Sequence, residues 1–82
     1  MSAPVSFAQF LVSLGSSAMV HLGETADPAS GDKRANPMMA KHTLDVLELL
    51  RTKTRGNLDD DEARLLDALI TEVSDKLASL PG

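Results

Sequence analysis

The run "KTRGNLDDDEARLL", residues 53–66, is the stretch of the chain whose residue types and spacing most invite a chemical reading. Basic and polar residues precede Gly56, and four consecutive acids, Asp59, Asp60, Asp61 and Glu62, follow it. Calcium is the first chemistry to test. Asn57, Asp59 and Asp61 fall at the first, third and fifth places of a would-be EF-hand loop. The sixth place must be glycine for the sharp turn and is Glu62; the twelfth must be a bidentate glutamate and is Ala68. Phosphate fares no better. A phosphate-binding loop needs two spaced glycines, a lysine and a preceding strand, whereas "KTRGN" has one glycine. The acids also occupy the helix amino terminus that would otherwise attract an anion. In a helix-turn-helix, the same acids would face the DNA phosphates. A net charge of −4 further disfavours DNA. Arg51, Lys53 and Arg55 could touch RNA, although a helix carboxyl terminus favours cations in any case.

Capping explains every residue of the run. Arg51, Lys53 and Arg55 sit at the negative end of one helix. Gly56 and Asn57 are residue types that tolerate positive φ after a helix. Leu58 anchors the start of the next helix, with Asp59 as N-cap and Glu62 as its reciprocal partner three residues on. This corner is expected to be structural.

Other candidates for chemistry are isolated. His21 and His42 fall on different helices, with no cysteine and no spaced carboxylate to complete a metal site. Ser16 and Ser17 lack the strand–turn–helix setting of a nucleophile. Asp45 and Glu48 lie on a solvated strip. No catalytic residue, metal or cofactor is expected, and the chain is not read as an enzyme.

The elements that position these residues are helices. Eighty-two residues make a single domain, 1–82, near the low end of what folds alone. Cysteine is absent, so no disulfide reinforces the core. No stretch reaches the ~18 apolar residues of a membrane span. The start "MSAPVSFAQFL" lacks a basic leader region, so a cytoplasmic protein without membrane association is expected. No alternating apolar–polar run argues for a strand.

The first helix is predicted over 6–22. Ser6 and Gln9 form a capping box, Phe7, Phe10, Leu11, Leu14, Ala18 and Leu22 make the apolar stripe, and Gly23 ends it. "GSSA", 15–18, is either a place of close helix approach or a weakened turn. Residues 24–36 lack periodicity and read as a flexible loop. A helical hairpin follows over 37–80. Its first arm has Asn36 as N-cap and Pro37 in the first turn. Its second arm carries Ala63, Leu66, Leu69, Ile70, Val73, Leu77 and Leu80 inward, a Glu72–Lys76 pair outward, and Pro81 as stop.

The first arm of the hairpin is unusual. Its apolar positions spread over roughly 220° of the helix circumference, leaving only Lys41, Asp45, Glu48 and Thr52 as a polar strip. A surface helix needs a stripe of about 100° or somewhat more. Met38, Met39, His42, Val46 and Leu49 are therefore the candidate partner or oligomer interface, Met being adaptable at such surfaces. The fold is expected to be all-α: a small three-helix domain, completed by self-association or by a partner.

The runs "F..FL.SL...A...LGE" and "AKHTLDVLELLRTKTRGNLDDDEARLL" resemble a small bacterial family, the domain of unknown function 1844. The resemblance covers roughly residues 7–69 and is most specific over Asp45–Leu47, Lys53–Leu58 and Glu62. The chain departs from the family's pattern in its lengthened 24–36 loop and in "ITEVSDKL" at the carboxyl end. No catalytic residue carries over. One family member is a motility-polarity protein of gliding bacteria. The resemblance implies that this chain acts with a RomR-like response-regulator partner as a nucleotide-exchange factor for a Ras-like GTPase of the MglA type. It also implies recruitment to cell poles by a partner. The alternative from another class is a translation- or RNA-associated accessory protein using Arg51, Lys53 and Arg55.

Overall fold

The computed structural model describes residues 5–80. It contains three helices, α1 (Phe7–His21), α2 (Pro37–Lys53) and α3 (Asp60–Ala78), with no strand among the described residues. The fold is the small all-α domain that the periodicity predicts.

Each helix starts at a side-chain cap. The Gln9 amide donates to Ser6 Oγ at 3.0 Å, and the Ser6 amide donates to Gln9 Oε1 at 3.3 Å. Asp59 and Glu62 repeat that reciprocal pattern at the start of α3, at 2.8 and 3.0 Å. At α2, Asn36 Oδ1 accepts from the Met39 amide at 3.2 Å, and Pro37 opens the first turn.

The exits differ in detail from expectation. Gly23 takes φ 79°; its amide donates to the Val20 carbonyl while that of Glu24 donates to Met19, closing both bonds of a Schellman turn. After α2, Gly56 alone takes positive φ (86°), whereas Asn57 keeps negative φ and donates its amide to the Thr54 carbonyl at 2.9 Å. One left-handed residue suffices for this turn, so Asn57 is not needed for it. Helix α3 ends at Ala78 with Ser79 as its cap, two residues earlier than predicted. Pro81, the predicted stop, lies outside the described residues.

Nine buried aliphatic residues form the core, three from each segment: Leu11, Ala18 and Leu22; Ala40, Leu44 and Leu47; Leu66, Ile70 and Val73. A hydrogen bond of 2.6 Å from the Asn36 amide to the His21 carbonyl sets the start of α2 beside the end of α1. The two helices therefore run antiparallel, and the turn at Gly56 returns α3 alongside them. The α1–α3 contact depends on Gly15: a Cβ there would lie 2.8 Å from Leu69 Cδ2. Close approach is therefore what "GSSA" provides, through Gly15 and the buried Ala18, while Ser16 and Ser17 remain exposed.

Two inward or paired assignments are corrected. Phe10 is 42% exposed, because the contact through Gly15 rotates the buried arc of α1 onto Leu11, Gly15 and Ala18. Lys76 pairs with Glu24 at 2.5 Å and not with Glu72, because the ends of α1 and α3 lie together and bring Glu24 to it. Residues 24–36 are internally bonded: Asp27 and Asp32 pair through backbone at 2.8 Å, and Asp27 Oδ1 accepts from the Ala29 amide at 2.9 Å.

Candidate interaction surface

Helix α2 divides its wide apolar arc between two destinations. Ala40, Leu44 and Leu47 enter the core, with Leu50 packed at its edge. Thr43 is buried with them, and its hydroxyl donates to the Met39 carbonyl at 3.2 Å. On the outer side Met38 is 81% exposed, Leu49 55% and Met39 40%; His42 is exposed and Val46 half-buried. The five residues named from the sequence thus share one side of α2, bounded by the Lys41–Asp45–Glu48–Thr52 strip.

Neighbouring contacts locate this face in the bundle. Arg51 reaches Asp67 of α3 at 3.4 Å, so the Arg51 edge of the buried arc borders α3. The opposite edge, carrying Thr43 and Leu50, therefore borders α1, and Met39 and Val46 lie just beyond it. On α1, Gly15 faces α3, which turns Phe7 and Leu14 toward α2 and puts Phe10 just outside. Counting about 1.5 Å per residue in opposite directions from the Asn36–His21 bond, Phe10 stands level with Leu47. Phe10 consequently extends the α2 face across the α1–α2 groove, and its ring pairs with Phe7 at 6.3 Å. Sequence reasoning assigned Phe10 to the core. Its place at the edge of the α1 stripe was the only signal of its exposure.

The flanking charges are set by local pairs. Lys41 Nζ lies 2.5 Å from Asp45 Oδ1, and that hydrogen bond and charge hold the ammonium's pKa above its usual value. At the α2–α3 corner, the exposed Asp61 pairs with Arg64 at 2.5 Å, and Asp59 is occupied as a cap.

The remaining candidates do not converge on a reaction. Ser16, Ser17, His21 and Asp27 line one cleft of about 280 Å³ with Val20 and Pro28. No serine–histidine or histidine–aspartate hydrogen bond joins them among the described residues. No group of three His, Cys, Asp or Glu residues that could hold a metal ion occurs among the described residues.

A family model described as a domain of unknown function (DUF1844) matches residues 4–78. The match includes the 24–36 loop and runs past Leu69 into the carboxyl-terminal part of α3, the two places where the sequence departs from the pattern quoted above. No curated protein and no solved structure matches the chain.

Proposed function

The chain belongs to the DUF1844 family, and from that premise we propose that it is a non-enzymatic protein–protein interaction module resembling RomX. In this role it acts with a RomR-like response-regulator partner to bind a Ras-like GTPase of the MglA type and promote nucleotide exchange. The protein is cytoplasmic and is brought to cell poles by its partner. The observation that supports the reading is the exposed apolar face of α2, Met38, Met39, His42, Val46 and Leu49, extended by Phe10.

Exchange needs no bond chemistry from the factor. It requires tighter binding to the nucleotide-free or nucleotide-loosened GTPase than to the loaded one. A tenfold faster release corresponds to about 1.4 kcal/mol of such differential stabilisation. A small apolar surface flanked by compensated charges is suited to that task. No helix among the described residues is long and apolar enough to cross a membrane.

The RNA-associated alternative has less support. Arg51 is engaged by Asp67, and Lys53 and Arg55 stand next to an acidic turn of α3 that would repel a phosphate backbone. Release of labelled GDP from an MglA-type GTPase, followed with this protein, with a RomR-like partner and with both, tests the proposal. Acceleration that Leu49→Glu reduces supports it; release at the intrinsic rate in all three mixtures refutes it. Salt-dependent co-sedimentation with ribosomes would favour the RNA role instead.

A further inference from the structure

We propose that a second copy of this chain covers the α2 face, with the two α2 helices packed antiparallel about a two-fold axis that passes between His42 and Val46. The inference rests on α2 being an interaction surface and is independent of any GTPase. Its first support is register. Met39, His42, Val46, Leu49 and Lys53 recur at alternating three- and four-residue spacing on the exposed side. That is the spacing of a two-stranded helical seam. An antiparallel two-fold sets Met39 against Leu49 of the partner subunit, and His42 against Val46 of the partner subunit. Two Met39–Leu49 contacts then flank two central His42–Val46 contacts along a seam of about two heptads. Lys53, at its end, lays its methylene stem along the seam and keeps its ammonium in water.

The second support is charge. A two-fold interface brings a patch against itself, so any net charge on it meets its like. The chain as a whole is acidic, at −4. Yet the exposed charged residues of α2 outside the Arg51–Asp67 pair are Lys41, Asp45, Glu48 and Lys53, two of each sign. Asp45, the carboxylate that flanks the seam, is already held by Lys41 at 2.5 Å. The chain's excess acid lies on other surfaces, including the Asp59–Glu62 turn and Glu72 and Asp75 of α3. The α2 side is thus apolar along the seam and locally neutral beside it, as self-pairing requires.

A seam this short belongs to the small, transient class of interfaces, below about 1,200 Å² in total. A weak, concentration-dependent association is therefore expected. Sedimentation equilibrium of the full chain from roughly 1 to 500 µM tests the inference. The mass should move from 8.7 kDa toward twice that value across the range. Leu49→Glu and Met39→Glu should each hold it at 8.7 kDa while keeping the helical circular-dichroism signal. Val12→Glu, at an exposed apolar residue on another part of the surface, should leave the association unchanged. Lys41→Glu should weaken it severalfold and make it strengthen with salt, because the acids around the axis are no longer compensated. A single 8.7 kDa species throughout, or an association that Leu49→Glu and Met39→Glu leave untouched, overturns the inference. The mass is read without any GTPase, and GDP release is read with the wild-type chain at about 1 µM, below the concentrations of self-association, so failure of one reading leaves the other standing.

Discussion

Two leucines one half-turn apart on α2 offer the sharpest test of this architecture. Leu47 is 0% exposed and Leu49 is 55% exposed, so truncating each to alanine removes the same atoms from opposite environments. At Leu47, about three buried carbons at ~0.8 kcal/mol each contribute about 2.4 kcal/mol. The unfilled cavity left in the core raises the loss into the range of about 3–4 kcal/mol. At Leu49 only the hidden 45% of the side chain counts, which gives about 1 kcal/mol. Water fills the space left there, so no cavity cost is added, and alanine's slightly better helix propensity offsets about 0.2 kcal/mol. The whole domain, at about 0.05–0.15 kcal/mol per residue, is stable by only about 4–12 kcal/mol. Leu47→Ala should therefore lower Tm by roughly 12–32 °C, and Leu49→Ala by roughly 3–7 °C. Both are read by circular dichroism at about 1 µM, where self-association does not contribute to apparent stability. Comparable losses at the two positions would refute the assignment of α2's inner and outer sides.

Three further outcomes follow from single contacts. Asp59→Ala removes the side chain that holds the Glu62 amide and should cost about 1 kcal/mol in urea unfolding, well above the cost of Asp60→Ala. At Gly15, alanine should stay within about 1 kcal/mol of wild type in thermal unfolding. Its gain in helix propensity of about 0.5–1 kcal/mol competes with displacing a terminal methyl of Leu69. Gly15→Val should instead lose about 1–3 kcal/mol, since its extra methyls have nowhere to go. The Glu24–Lys76 pair should give a plateau in pH. Its hydrogen bond and charge lower the Glu24 pKa and raise that of Lys76. The Glu24 contribution is present above the unfolded carboxylate pKa and lost as pH falls through the lowered one. The Lys76 contribution is present below the unfolded ammonium pKa and lost as pH rises through the raised one. The stability gap between wild type and Glu24→Gln should thus stay flat from about pH 5 to 10 and close on both sides.

What could be read from sequence was local. Ser6 and Gln9, Asn36, Gly23, and Asp59 and Glu62 act within three or four residues of themselves, so adjacent sequence contains both partners of each bond. Spacing likewise placed Leu11, Ala18, Leu44, Leu47, Leu66, Ile70 and Val73 on inward faces, since helical geometry alone puts them in line. What could not be read depended on a second element. Phe10 fits the α1 stripe by spacing and is displaced only because Leu69 of α3 settles against Gly15. Lys76 has a suitable acid one turn earlier in Glu72, yet Glu24, brought alongside from the end of α1, takes it. The sequence also revealed that α2 has too much apolar arc for one contact. It put Met38, Met39, His42, Val46 and Leu49 on the surplus side, but not which neighbour borders that side, because the Arg51–Asp67 pair and the α1 contact decide that together.

The spare half is the feature that most needs an explanation outside the monomer. In this bundle α1 and α3 cover one side of α2, and the polar strip of Lys41, Asp45, Glu48 and Thr52 occupies another. Between them, Met38, Met39, His42 and Leu49 contribute little to the core, and replacing them with lysine or glutamate would preserve helix propensity and improve solubility. Folding therefore does not require those side chains. A large apolar group left in water on a small acidic domain risks aggregation and gives the isolated chain nothing in return. Leu50, which packs against the core, stands one helical turn beyond Val46 and joins that end of the surface to the core. A partner seated on α2 would therefore pack against an extension of the core rather than a detached patch. Its binding and the bundle's own stability would then be coupled, so that a ligand of the α2 face should also raise the Tm of the domain.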